Sequence, residues 1–207
     1  MKTLEKILGL VGIIALILKL GLLPGSSLLI VVSLTVLGCI YFLFGFALFN
    51  GIRLRAILKT DSYKGLSLAR VIGSIGLGMG LAAICIGMLF KLQHWPGGDS
   101  NIAAGLGVTL IILIIASIKF IQSRSDYYKY IYPRILIIGS LGLFFALLPE
   151  LTIIKIQYRN HPDYIKAYED YLENPQDEEL SRIKEVEYFR ATMSDEEFKL
   201  YLDISGE

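Results

Sequence analysis

The chain has 207 residues, of which 54% are apolar and only 19% charged, and its mean hydropathy is +0.59. That balance speaks against a water-soluble globule. The near-neutral total conceals a division: residues 1–159 carry 15 Lys and Arg against 5 Asp and Glu, whereas residues 160–207 carry 5 against 14. A basic, apolar body of net +10 precedes an acidic tail of net −9.

A helix crossing the hydrocarbon layer needs about 20 mostly apolar residues, because lipid offers no partners for exposed backbone N–H and C=O groups. Five stretches meet that requirement, at Ile7 to Leu23, Leu28 to Phe49, Val71 to Leu92, Ile102 to Ile121 and Ile135 to Ile156. The first two are joined through Pro24-Gly25-Ser26-Ser27 and the next two through Gln93 to Asp99, so each pair reads as a helical hairpin. An all-α, polytopic membrane protein with about five spans and a short helical acidic tail is the expected fold. The loop with Arg53, Arg55, Lys59, Lys64 and Arg70 against Asp61, and the loop with Arg124, Lys129 and Arg134 against Asp126, are expected to face the cytoplasm. Lys2 and Lys6 agree with a cytoplasmic N-terminus, and five crossings would place the tail outside, in the periplasm. Cleavage of residues 1–27 as a secretory signal is not expected, because Lys19 interrupts the apolar core and no small-x-small site follows. Cys39 and Cys85 lie in apolar runs of different segments and read as small buried hydrophobes.

Shifting the first hairpin by 72 residues places it on the second, with 8 identities over the 23 positions from Ile14 to Val36. Shared Ile and Leu carry little weight in membrane helices. More informative is a Lys followed five residues later by Pro-Gly, at Lys19 and again at Lys91. Lys155 gives a weaker third echo.

Polar residues within such a body are the candidates for function. Lys19, Lys91 and Lys155 fall near the ends of outgoing helices, where each either snorkels to the headgroups or, at Lys91, meets an acidic partner on a neighbouring helix. Glu150 is the one carboxylate inside an expected span, unless Pro149 ends that helix and leaves it at the interface. These four form a possible ion path. The turn residues His94, Trp95, Pro96 and Gly97 suit an interfacial belt. Glycines cluster in the third span, and Gly73, Gly76 and Gly80 are expected at a helix contact, the last two as G-x-x-x-G. No metal site, cofactor or catalytic motif is expected.

In the tail, Tyr164, Tyr168, Tyr171 and Leu172 make an apolar stripe of helical period, Asn174-Pro175 breaks it, and Leu180, Ile183 and Val186 mark a second helix. Ser194-Asp195-Glu196-Glu197 is a capping box opening a third, with Phe198, Tyr201 and Leu202. Tyr164, Tyr168, Tyr171 and Phe198 are the expected docking residues, against the membrane body, a partner protein or a second copy. The acidic charge argues against nucleic acid and anionic lipid as partners of the tail.

Gly87-Met88-Leu89-Phe90-Lys91 together with His94 and Gly97 resembles the transmembrane hairpin of the GldL/PorL family, the gliding-motility and type IX secretion motor stators of Bacteroidota. The resemblance covers roughly residues 80 to 120 and, weakly, the first hairpin. It implies an inner-membrane protein that assembles with other inner-membrane proteins around a partner with a long periplasmic portion and uses proton flow. The sequence departs from the family in having two hairpins, in lacking a glutamate on the returning helix, where Thr109 to Leu113 stand, and in its short tail. The expected organisation is a first hairpin (1–52), a basic loop (53–70), a second, GldL-like hairpin (71–122), a fifth helix with a basic lead-in (123–158) and the acidic tail (159–207). The expected function is a non-catalytic inner-membrane subunit or scaffold acting on no small-molecule substrate, held by lipid and by other membrane proteins or its own copies. The alternative is a proton- or ion-translocating subunit using Glu150 with Lys91.

Overall fold

The computed structural model describes residues 2–23, 25–122, 125 and 127–205. Pro24, Arg124 and Asp126, on which the turn and loop readings above also rest, lie outside the described residues, as do the side chains of Lys2, Leu20 and Ser205. Every regular element among the described residues is helical. The chain divides into two compact units, Met1–Leu148 and Pro149–Glu207.

The first unit holds α1 (Lys2–Leu20), α2 (Ser26–Phe49), α3 (Leu68–Leu92), α4 (Gly98–Gln122) and α5 (Tyr127–Leu147). Helices α2 to α5 are long and apolar enough to cross a membrane, and the protein is a helical membrane protein. Helix α1 differs, carrying Glu5, Lys6 and Lys19 within 19 residues. Helix α3 is central, packed against α2, α4 and α5. Between α2 and α3 the chain makes two short 3-10 turns, at Leu54–Ala56 and Thr60–Tyr63. Ser67 then caps α3, its hydroxyl accepting from the Arg70 amide at 3.3 Å.

The expected fifth span moves toward the N-terminus. Instead of running from 135 to 156, α5 covers Tyr127–Leu147, and Pro149 stands extended (φ −60°, ψ 142°) ahead of the next helix. A proline there has no N–H for the helical ladder and holds its predecessor away from helical angles. Pro133, by contrast, lies inside α5. One residue later the Arg134 guanidinium donates to the Tyr130 carbonyl, a side-chain bond of the kind that lets a membrane helix tolerate proline.

Glycines set how closely the helices approach. A methyl group added at Gly80 would fall 2.7 Å from Thr109 Oγ1 of α4, and one at Gly87 would fall 2.9 Å from the Gly98 carbonyl oxygen. At Gly76 the neighbour is the Ile112 side chain, at 3.3 Å. Gly73 does not join them, because a side chain there would enter open space. Its expected packing role is corrected: it lies on the same face one turn before Gly76, but no neighbouring helix comes within 4 Å of an added methyl there. Gly78, on the opposite side of α3, meets α2, where an added methyl would reach the Tyr41 carbonyl oxygen at 2.5 Å. Cys85 is buried between helices as expected, whereas Cys39 faces outward from α2.

The second unit comprises α6 (Glu150–Gln157), α7 (Pro162–Glu173), α8 (Glu178–Thr192) and α9 (Asp195–Ser205). Its core consists of Ile154, Tyr164 and Tyr168, with Leu151, Tyr158, Ile165, Tyr188 and Ala191 against them. Tyr158 and Tyr164 meet edge to face at 4.7 Å, and Tyr188 contacts both rings. Asp177 caps α8 by accepting from the Glu179 and Leu180 amides. The capping box opens α9 as expected: the Ser194 amide donates to Glu197 at 2.9 Å, and the Glu197 amide donates to the Ser194 hydroxyl.

Candidate functional site

The four residues of the expected ion path divide between the two units, Lys19 and Lys91 in the first, Glu150 and Lys155 in the second. Lys91 is nearly buried, at 6% exposure, and its Nζ lies 2.6 Å from Asp99 Oδ1 across the hairpin turn. Its acidic partner is therefore the first turn of α4, not an acid deep in a neighbouring helix. The pair places a cation at the C-terminal end of α3 and an anion at the N-terminal end of α4, both favoured by the helix dipoles. Around it His94 takes a left-handed φ of 56° and Gly97 one of 88°, which brings the chain about tightly. The Trp95 amide donates to the Phe90 carbonyl at 2.8 Å and the two rings meet edge to face at 5.5 Å, so Trp95 folds back on α3 with half its surface exposed.

Lys19 repeats the arrangement. Its Nζ donates to the Ser27 hydroxyl at 2.6 Å, and like Lys91 it reaches the residue eight positions on. The bond in the first hairpin is neutral at its Ser27 end, where the second is ionic at both.

Glu150 and Lys155 belong to the second unit. Glu150 opens α6 beyond Pro149, so the reading that puts it inside a transmembrane helix is corrected by the proline break. Its carboxylate bonds with the Tyr168 hydroxyl; burial first, and then the charge of Glu150, hold that phenol above its ordinary range. Lys155 pairs with Glu169 of α7 at 2.5 Å. Tyr164 and Tyr168 are corrected as docking residues, since they are 4% and 8% exposed and form the core of their own unit. Tyr171 lies under the Lys184 ammonium at 3.6 Å, and Phe198 stacks on Tyr201 with the Arg190 guanidinium above it.

Among the described residues of the helical body, the buried carboxylate is one that no motif marks. Glu5, in the first turns of α1, is 8% exposed. Arg134 of α5 grips it with two parallel bonds, Nε to Oε1 and Nη2 to Oε2, each 2.5 Å. The Tyr41 hydroxyl of α2 donates to Oε1 at 2.7 Å. Phe49 completes the enclosure, with the guanidinium 5.7 Å from its ring and Tyr41 stacked on it at 6.2 Å. Planar bidentate pairing with a third donor is the geometry that offsets the desolvation of two charges. Tyr41 lies eight residues before the end of α2 and Arg134 seven after the start of α5. At 1.5 Å per residue the backbone of Tyr41 and of Arg134 lies about 10 to 12 Å from those helix ends, and that of Glu5 about 4 to 5 Å from the start of α1.

A second polar cluster lies at the same ends of α2, α3 and α5. Arg70 Nε donates to Asn50 Oδ1 at 2.7 Å, and Asn50 Nδ2 donates to the Ser74 hydroxyl at 2.9 Å. The Tyr127 hydroxyl is 3.1 Å from Ser74, while Arg70 stands over the Tyr127 ring at 4.6 Å. Phe120, Tyr128 and Tyr132 continue this aromatic belt with ring separations of 5.3 to 6.0 Å.

No curated protein and no solved structure matches the chain. Residues 76–137 match the family model of the GldL N-terminal domain. The matched stretch is longer than the resemblance read from the hairpin, since it takes in most of α3, all of α4 and the first half of α5, Arg134 included. The protein is thus a helical membrane protein with a GldL-like segment over its second hairpin and the helix that follows.

Proposed function

We propose that the chain is a non-catalytic subunit of an inner-membrane complex, related to GldL, that binds partner membrane proteins through its second hairpin. The observation carrying this reading is the uneven use of that hairpin. Over the apolar window of α3, 56% of residues are buried within the chain, but over that of α4 only 17%. The outer face of α4, with Ile111, Ile114, Ile115 and Ile118, is left for lipid or a neighbouring subunit. In this reading the acidic second unit projects into the periplasm, the N-terminus is cytoplasmic, and the process served is gliding motility or type IX secretion. A cysteine replacing Asp203 should then react with an impermeant label from outside.

The test is purification of a tagged chain from its native membrane in gentle detergent, with mass determination of the intact particle. A defined complex with another membrane protein, dissolved by Ile111→Trp and Ile114→Trp while the chain itself stays folded, supports the reading. A particle of unchanged mass in those variants counts against it.

A second reading, an ion-translocating subunit, draws its support from Glu5 rather than Glu150, because Glu5 is, among the described residues, the acid enclosed by the membrane helices. Glu5→Gln should then abolish proton flux in reconstituted vesicles at normal expression; unchanged flux leaves the first reading alone.

A further inference from the structure

Helices α1 and α5 are tied together at Glu5 and Arg134 but diverge beyond that point. The space between them is a cavity of about 680 Å³, floored by α2 and α3 and walled by Ile13, Leu16, Leu37, Met88, Leu141 and Phe145. Nearly all its lining is apolar, and its polar residues gather at one end. There Glu5 and Arg134 neutralise each other, and Lys6 and Lys129 add two positive charges, both exposed. We propose that this groove holds one acyl chain of an anionic glycerophospholipid, with the lipid phosphate between Lys6 and Lys129.

Dimensions favour a lipid over a protein helix. From Glu5 to Leu16 the groove follows α1 for eleven residues, about 16 Å at 1.5 Å each. That is half of the roughly 30 Å hydrocarbon thickness, the depth of one leaflet. A transmembrane helix spans the whole thickness and would run on well past the end of the groove. The charge points the same way: an anionic headgroup is attracted to two lysines at the membrane surface, each contributing about fivefold in affinity.

The experiment uses the full chain reconstituted in phosphatidylcholine nanodiscs containing a minority of phosphatidylglycerol, with retained lipid counted by native mass spectrometry. One phosphatidylglycerol per chain should survive release. Gly9→Leu fills the groove, since nothing lies within 4 Å of an added Cβ there, and should expel the lipid without unfolding the helix. Lys6→Gln with Lys129→Gln should keep a lipid but lower the preference for phosphatidylglycerol over phosphatidylcholine about twenty-five-fold. Equal retention of both lipids by the unaltered chain overturns the proposal. So does undiminished lipid in Gly9→Leu, or a lipid-free dimer or hetero-complex that Gly9→Leu separates.

Discussion

The two hairpins of the helical body are built to one plan and differ in what they bury. Contacts of the first, Lys19 with Ser27 and Gly12 with Ser33, return 72 residues later as Lys91 with Asp99 and Ile84 with Gly105. The turn contact thus changes from neutral to ionic, and the glycine that permits close approach moves from the outgoing helix to the returning one. The same shift carries Glu5 and Tyr41 onto Leu77 and Leu113, so the polar pair of the first hairpin corresponds to leucines in the second. Close packing, with the Lys91–Asp99 pair at the turn, holds α3 to α4. Helix α1 is held by fewer apolar contacts and fastened by charge to α5, from the other side of the repeat.

The largest effect should come from breaking that fastening. Glu5→Ala leaves Arg134 buried without its carboxylate and should cost about 3 to 5 kcal/mol, read as a fall in melting temperature in detergent. Tyr41→Phe, removing one donor, should cost about 1 kcal/mol. Next comes the packing of the second hairpin. Gly80→Leu drives a side chain into Thr109 and should cost about 1 to 3 kcal/mol, whereas Gly73→Leu should stay within about 0.5 kcal/mol. Equal effects at the two positions would remove the distinction between the packed and the open stretch of that face.

A smaller effect sharpens the repeat itself. Ser27→Asp converts the turn contact of the first hairpin into that of the second and should stabilise it by about 0.5 kcal/mol, and Asp99→Ser should destabilise by a similar amount. If the two exchanges move stability in the same direction, the turns are not equivalent. The smallest effect lies in the second unit. Hydrogen bonds from Ser194 hold the exposed Glu197 carboxyl below its usual range. The stability it lends α9 is present above the ordinary carboxylate pKa and is lost as pH falls through the lowered one. Helical circular dichroism should fall slightly in that acid range, and Glu197→Gln should remove the dependence.

The plan of the repeat was legible because the Lys and the Pro-Gly that follows are local and rigid in spacing. The capping box at Ser194 was legible for the same reason. Glu5 was not, since its partner is 129 residues away and an acid near a helix start beside Lys6 reads as a solvated flank. Pro149 marks where a helix can stop, but an apolar run on both sides of it does not tell whether the helix bends or ends. The stripe of Tyr164 and Tyr168 was visible; that it closes on Tyr158 and Tyr188, within its own unit, depends on helix packing that periodicity does not encode.

A double-mutant cycle on Glu5 and Arg134 tests the central claim most directly. Glu5→Gln, Arg134→Gln and the pair are compared by thermal unfolding in one detergent, with the same cycle on Leu77→Ala and Leu113→Ala as the reference from the second hairpin. The account predicts a coupling of about 2 kcal/mol or more between Glu5 and Arg134. Additivity within about 0.5 kcal/mol would show that charge does not fasten α1 to α5 and would contradict the account.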